Sequence, residues 1–405
     1  MTGAPKTDPE GEAGPVNFVE RYGLLQRSGG VATALITAML AFLLGGLVVL
    51  ATGHNPLSAY REIFNGTGLN WLFPWVSGTD RTFAALNLQQ TLIRATPLML
   101  TGLAVAFAFR CGMFNIGGQG QYTVGAVVGV WVGSSWAGIP GPAHIVLAIV
   151  LASLAGAFFA GVAGLLKATV GAHEVISTIM LNWVAYYAGS YLFGLGGPLQ
   201  NTRTGSPISN DIATNTHLHV FWGDPILQGL HVGFFIAIAA LVAYWVVLNR
   251  TTLGYEVRAV GFNAEAARYG GINVARSYVT AMAISGLFAG LAGAVDILGW
   301  QFRLGQLDVQ ASNIGFTGIA VALLGRNTAV GVFFSALLFG GLINGTSGRH
   351  LSADVFPPQL AGNLTLIIQG LIILFIGADV LVLYVWQRAR KLRAGKAPEV
   401  GEVRT

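Results

Sequence analysis

The stretch NRTTLGYEVRAVGFNAEAARYGGINVAR, residues 249–276, is the most polar internal segment of a very apolar chain. Apolar runs at 230–248 and 278–295 flank it. Each is about the length that crosses a bilayer as one helix, roughly 20 residues. The stretch therefore reads as an aqueous connection between two membrane spans. Inside it lies one short helix signal. Asn263 is an N-cap residue type, Glu265 falls in the first turn, Arg268 in the last, and Gly270 with Gly271 stops the helix. About seven residues give a helix about 10 Å long. Such a helix is marginal alone in water and needs a surface to dock on. The alternative is an ordinary loop whose arginines only fix topology.

Working outward, the rest of the chain has the composition of a membrane protein. It is 54% hydrophobic and 10% charged, with mean hydropathy +0.64, where soluble domains carry roughly 25% charged residues. The 56 glycines sit inside the apolar runs and fit close helix packing. An isoelectric point near 9.4 does not point to nucleic acid, because excess Lys and Arg in a membrane protein marks cytoplasmic loops. The single cysteine, Cys111, excludes an internal disulfide and a multi-cysteine metal site.

The apolar pattern predicts an all-α polytopic protein of about ten spans. They lie near 31–52, 91–109, 122–136, 145–166, 175–195, 230–248, 278–295, 314–324, 329–343 and 364–386. The third, eighth and ninth are short and are candidates for broken or re-entrant helices, which need protein or water around them. Residues 1–30 read as a polar cytosolic tail, 31–387 as the membrane domain and 388–405 as a basic cytosolic tail. Segment 53–90 is polar and aromatic, and NPLSAYREIFNG within it reads as an interfacial helix. Ten spans put both termini on one side. That side would hold sixteen of the 22 Lys and Arg residues, the stretch 249–276 among them. The other side would hold Arg61, Arg81, Arg94, Arg203, Arg303 and Arg349. The bias makes the first side cytosolic.

Several chemistries leave no mark. There is no GxxxxGKS or GxxxxGKT, so the chain has no P-loop for ATP. HEVIS at His173 lacks the second histidine of a HExxH zinc site. No regular arginine ladder resembles a voltage sensor. The membrane interior reads as nearly free of acids, with Glu174, Asp296 and Asp379 near span ends, whereas ion-driven transporters keep acids at mid-membrane. The pattern favours a neutral solute and either passive flow or energy supplied by another chain.

Four segments then carry a resemblance: FNIGGQGQ (114–121), HEVISTIMLNWVAYY (173–187), GYEVRAVGFNAEAARYGGI (254–272) and GIAVALLGRN (318–327). In this order they resemble the membrane permease of ABC importers of the ribose and branched-chain amino acid type, nearest to its nucleoside and simple-sugar subgroup. The resemblance covers roughly 31–386. It implies a type II importer bundle and transport of a neutral solute, nucleosides first and simple sugars as the alternative. It also implies partners: separate ATPase subunits that bind the ATP, an extracytoplasmic solute-binding protein and a second permease. The long segment before the second span resembles the longer permease of a heterodimer. A stand-alone channel remains the competitor, and nothing supports a membrane enzyme.

On this resemblance the coupling residues are Arg258, Gly261, Asn263, Ala264, Glu265, Ala266, Ala267, Arg268, Tyr269, Gly270 and Gly271. Asn263 caps, the alanines permit close approach and Tyr269 anchors. The candidates for the solute pathway or gate are Phe114, Asn115, Gln119, Gln121, Asn182, Tyr186, Asn313, Phe316 and Thr317. The subgroup commonly has an acid where Gln119 stands and often one at Thr317, so no acidic role carries over. FNIGGQGQ reads as lying toward the cytosolic side, as a packing element, an inner gate or a solute contact. Asn182 reads either as an interhelical hydrogen bond of about 1 kcal/mol or as a solute ligand.

Overall fold

The computed structural model describes residues 30–136, 138–347 and 358–377. The expected basic tail lies outside the described residues, as do all of the N-terminal tail but Gly30 and the tenth span beyond Gly377.

The described chain is a helical bundle. Its first helices are α1 (Gly30–Ala51), α2 (Pro56–Thr67), α3 (Gly78–Arg110), α4 (Gly118–Ser135), α5 (Gly141–Val170) and α6 (Glu174–Phe193). A two-stranded antiparallel ribbon follows, β1 (Val220–Trp222) with β2 (Leu230–His231). Then come α7 (Gly233–Arg250), α8 (Thr252–Phe262), α9 (Ala264–Tyr269) and α10 (Val274–Asp296), the last continuing as a π-turn over Ile297–Gln301. The bundle ends with α11 (Gln306–Ala311), α12 (Ile314–Leu324), α13 (Ala329–Gly345) and α14 (Pro358–Gly377).

Five helical stretches are long and apolar enough to cross a membrane: α3, α5, α7, α10 with its π-turn, and α11–α12 together. Shorter apolar helices lie at Ile36–Ala51, Ala329–Gly345 and Gly362–Phe375. α4 and α6 fall outside both groups, since Gln119, Gln121, Glu174 and Asn182 dilute their apolar runs. The chain is thus a polytopic helical membrane protein.

α3 and α10 form the centre. The apolar windows of both are mostly buried, while that of α5 is mostly open to the outside. Small residues let these helices approach. A Cβ at Gly286 of α10 would collide with the carbonyl of Gly156 on α5 and with Ala160 Cβ, and Gly290 meets Ala152 and Gly156 in the same way. This GxxxG pairing replaces side-chain interdigitation with backbone contact. Gly286→Val should destabilise the fold by about 3 kcal/mol, at the upper end for overpacking. The thermal transition of the detergent-solubilised protein should fall accordingly. Gly161→Ala on α5, with nothing within 4 Å of the added methyl, is the control that should not move it.

One sequence expectation is corrected. The second span starts at Gly78 rather than near 91, because Asp80 favours the helix N-terminus and the run continues unbroken through Gln90. Pro97 sits inside it and has no N–H for the carbonyl of Ile93 one turn back, and Thr101 Oγ1 donates to Pro97 O at 2.9 Å. Between α10 and α12 the chain holds the π-turn and α11, and β1 lies in the segment after α6. The segment NPLSAYREIFNG forms helix α2, capped by Asn55.

Candidate functional site

Within the stretch 249–276 two short helices, not one, flank a shared cap, Asn263. Thr251 Oγ1 accepts from Gly254 N at 3.2 Å and starts α8, whose Gly254, Val257 and Val260 face inward. Asn263 then ends α8 and begins α9, its Oδ1 accepting from Ala266 N at 3.0 Å. Gly271 takes the left-handed conformation at φ 84°. Gly271 N donates to Arg268 O and Ile272 N to Ala267 O, the paired bonds of a Schellman stop. Glu265 and Arg268 pair at 3.3 Å on the open face. Asn273 accepts from Arg276 N at 3.0 Å and launches α10.

The two faces of this unit differ. Ala267 is 6% exposed and turned into the bundle, so it is not a surface for close approach by a partner. Ala266, Glu265, Arg268, Gly270 and Gly271 are exposed, and Ala264 and Arg258 are half-buried, with Arg258 Nε donating to Gly254 O at 3.2 Å. Tyr269 is 93% exposed and Phe262 is 92% exposed. Phe262 precedes the cap and Ala267 is the fourth residue after it, the pair that would form a hydrophobic staple. With Phe262 in the open, no such staple closes. Two large rings therefore stand out from a polar connection with no cover from the described residues. Gly261 lies against the carbonyl of Arg110 and against Gly112, where any side chain would collide. That contact fixes the unit to the end of α3.

The same end gathers other basic residues. Arg110 donates to Asn327 O from Nη2 at 2.8 Å, and Tyr244 Oη donates to that carbonyl at 2.7 Å. Arg326 and Asn327 both have φ above 50°, which turns this carbonyl toward α3 and α7. Lys167 pairs with Glu174 at 2.8 Å between α5 and α6.

A second polar group lies deeper. After Arg110 the chain leaves helix and runs back into the bundle as Phe114–Asn115–Ile116–Gly117 before α4 begins. Asn115 is fully buried. Its Nδ2 donates to Gln121 Oε1 and to Ser285 Oγ, both at 2.8 Å, and its Oδ1 accepts from Gly117 N and Gln121 Nε2. Ser285 Oγ donates to Ala104 O. Ala104 is about 9 Å of helix from Arg110, and Ser285 about 16 Å from Val274. FNIGGQGQ is therefore sunk well inside the basic end, not at its surface. Irregular backbone at such depth survives because buried side chains satisfy it.

Gln119 and Asn182 tie this segment to other helices. Asn182 Oδ1 accepts from Gly120 N at 2.8 Å, and its Nδ2 donates to Ile116 O at 2.9 Å, clamping α6 to α4. Gln119 Oε1 accepts from Gly315 N at 2.8 Å and so caps α12 from another helix. That cap is needed because α11 and α12 break at Ser312–Asn313, and Asn313 makes no cap bond. Gln119 is 7% exposed, and its Nε2 is buried without an acceptor among the described residues. Ser312 Oγ is likewise buried and unpaired. Asn313 and Phe316 are exposed on the same break and Thr317 is half-buried. The structure thus brings Asn115, Gln119, Gln121 and Asn182 together, with Phe114 beside them against Phe109. Tyr186 stands apart, in contact with Trp183 and Tyr187 on the open face of α6.

Comparison with known proteins places this geometry. The family described as branched-chain amino acid transport system / permease component matches residues 87–377. The chain belongs to this permease family. It is 36% identical to the guanosine ABC transporter permease NupP of Bacillus subtilis over 91% of this chain and 99% of the relative. It is 33% identical to the nucleoside ABC transporter permease NupB of Lactococcus lactis over 91% of this chain and 96% of the relative. A glucose ABC transporter permease, TsgB13 of Haloferax volcanii, is 36% identical over 85% of this chain and 86% of the relative. No solved structure gives a significant match. The chain is therefore the permease of an ABC transporter, without an ATPase site of its own, and the family implies separate ATPase and substrate-binding partners.

One acid that the sequence reading placed near a span end is buried inside the permease. Asp296 is 1% exposed, where α10 passes into the π-turn. It accepts hydrogen bonds from Tyr122 Oη, Trp300 Nε1 and, at 2.6 Å, Gln301 Nε2. Its carboxylate is committed to holding the turn. The interior is thus not acid-free, but this acid is held by three donors. Phe262 and the Asn327 carbonyl were missed. An exposed phenylalanine has no sequence signature distinct from a buried one, and a backbone acceptor has none at all.

Proposed function

We propose that this permease carries nucleosides across the cytoplasmic membrane of a bacterium, with both its termini and residues 249–276 in the cytosol. The observation that carries the substrate class is the likeness to guanosine and nucleoside permeases along nearly their whole length. A second related permease completes the pathway, in keeping with the long segment before the second span. ATPase subunits seat on α9 and the exposed rings of Phe262 and Tyr269. ATP-driven closure of the ATPase pair moves this unit. Through Gly261 against the end of α3, and α10 directly after α9, it biases the bundle between outward and inward states.

Phe114, Asn115, Gln119, Gln121, Asn182, Tyr186, Asn313, Phe316 and Thr317 form the pathway and its inner gate in this reading. The support is the sunken irregular segment and the broken α11–α12, since interrupted helices near mid-membrane line transport sites. The group is uncharged, as a neutral solute requires. Gln119 is the informative residue. Gln119→Glu keeps an acceptor for Gly315 N but loses the buried donor, and should lower nucleoside transport about tenfold with assembly intact. Gln119→Ala also loses the cap and should add about 1–2 kcal/mol of destabilisation. Uptake assays paired with thermal melts separate the two effects.

Simple sugars are the second reading, favoured by the glucose permease relative. Solute-stimulated ATPase activity of the reconstituted complex, with guanosine, ribose and glucose offered in turn, tests the choice. Stimulation by a sugar alone would refute the nucleoside reading.

A further inference from the structure

We propose that a cavity between the far ends of α4 and α6 is the entry subsite for the solute. It would take a neutral ring compound with one flat apolar face and a hydroxyl-bearing edge. This deepens the transport reading above and rests on it.

The cavity has a volume of about 260 Å³ and is lined by Trp131, Ser134 and Ser135 of α4, Phe193 of α6, and Gln200 and Asn210 of the following loop, among others. That size lies just below the usual small-molecule range of roughly 300–1,000 Å³, so it suits one nucleoside or monosaccharide and nothing much larger. No lining residue is charged, so the cavity has no counter-ion for a phosphate or an ammonium group.

The lining divides into fixed and free groups. Gln200 is fixed: its Oε1 accepts from Gly196 N at 2.6 Å and its Nε2 donates to Ser206 O at 3.0 Å. Ser209 is fixed too, accepting from Leu304 N and donating to Asn210 O. These bonds shape the loop and tie it to Leu304, and Ala213 N donates to Gly133 O at 2.9 Å, which holds it against α4. The side chains of Trp131, Ser135 and Asn210 make no hydrogen bond to another described residue. Trp131 is 42% exposed and lies tilted against Trp136, with ring centroids 5.9 Å apart. A large indole face and two free polar groups on a rigid wall form the pattern that reads a ring by stacking and its edge by hydrogen bonds.

Position gives the cavity its role. α4 begins beside the sunken Asn115–Gln121 network and ends at the cavity, with Gln119 and Trp131 about 18 Å apart along the helix. The seam between α4 and α6 joins them. At one end Gly120 packs on Asn182, and in the middle Gly189 faces Thr123 and Val309. Gly112 packs on Gly261 at the start of this path. The cavity is therefore at the end of the bundle away from α8 and α9, where a solute released by an extracytoplasmic binding protein arrives. It also shares a helix with the unpaired amide of Gln119.

The test uses proteoliposomes holding the full complex: this permease, its second permease, the ATPase and the binding protein. Trp131→Ala should raise the KM for uptake about tenfold, the loss of one stacking partner. Trp131→Phe should recover most of the affinity. Ser135→Tyr, which fills the cavity from an exposed position, should raise KM without altering assembly. Photolysis with 8-azidoadenosine should label 131–135 or 198–210. Guanosine and glucose as alternative substrates separate a nucleoside from a sugar occupant. Unchanged KM in both Trp131→Ala and Ser135→Tyr, in a complex that does transport, would overturn the subsite. A wild-type complex that imports neither solute class would overturn the transport reading itself, and the subsite with it.

Discussion

Ala266→Arg is expected to abolish ATP-driven transport while the permease still inserts and folds. Ala266 lies on the open side of α9, one turn from Tyr269 and beside the exposed Phe262. Its backbone N–H, which the Asn263 cap satisfies, is untouched by the change. Arginine is also a good helix former, so the local fold tolerates it. What it alters is the surface offered to a partner: a long charged side chain holds a docking groove away. The same substitution at Ala267 should act differently. Ala267 is packed into the bundle, so a buried arginine there should unfold the unit or prevent insertion. Expression, thermal melts and co-purification of the ATPase distinguish the two. If Ala266→Arg retains full transport and ATPase binding, α9 is only a connection.

Asp296→Ala is expected to lower stability by about 3 kcal/mol, the cost of leaving buried donors without their acceptor. Three donors, from Tyr122, Trp300 and Gln301, converge on this carboxylate. Without it each is left buried or half-buried without its acceptor, at about 1–3 kcal/mol for a fully buried one. The π-turn that it holds also carries Leu298, whose carbonyl accepts from Leu218 N and anchors the loop before β1. Loss of the turn should therefore loosen the outer loop as well. Asp296→Asn keeps one acceptor oxygen and should cost less. The readout is the melting temperature of the purified permease, with limited proteolysis of 196–232 as the local probe. A melting temperature unchanged in Asp296→Ala would mean that the cluster contributes nothing.

Much of the fold was legible because membrane helices must be long, apolar and internally bonded. The runs at 145–166, 230–248 and 278–295 became α5, α7 and the body of α10 for that reason. The cap at Asn263 and the stop at Gly271 were legible because local backbone bonds need those residue types. α8 could have been read from Thr251 and the spacing of Leu253, Val257 and Val260, but Arg258 and its two glycines made it resemble a loop. What stayed hidden depends on other helices. The depth of Asn115 follows from Ser285 and Ala104, far away in sequence. The capping of α12 by Gln119 joins residues nearly two hundred positions apart. Asp296 read as a span-end acid because nothing in its own segment reveals Tyr122.

If this chain moves nucleosides only as the permease of an ATP-driven complex, guanosine uptake into proteoliposomes containing the two permeases, the ATPase and the binding protein should require ATP and stop when the P-loop lysine of the ATPase is replaced. Guanosine uptake that persists without the ATPase subunits would contradict it.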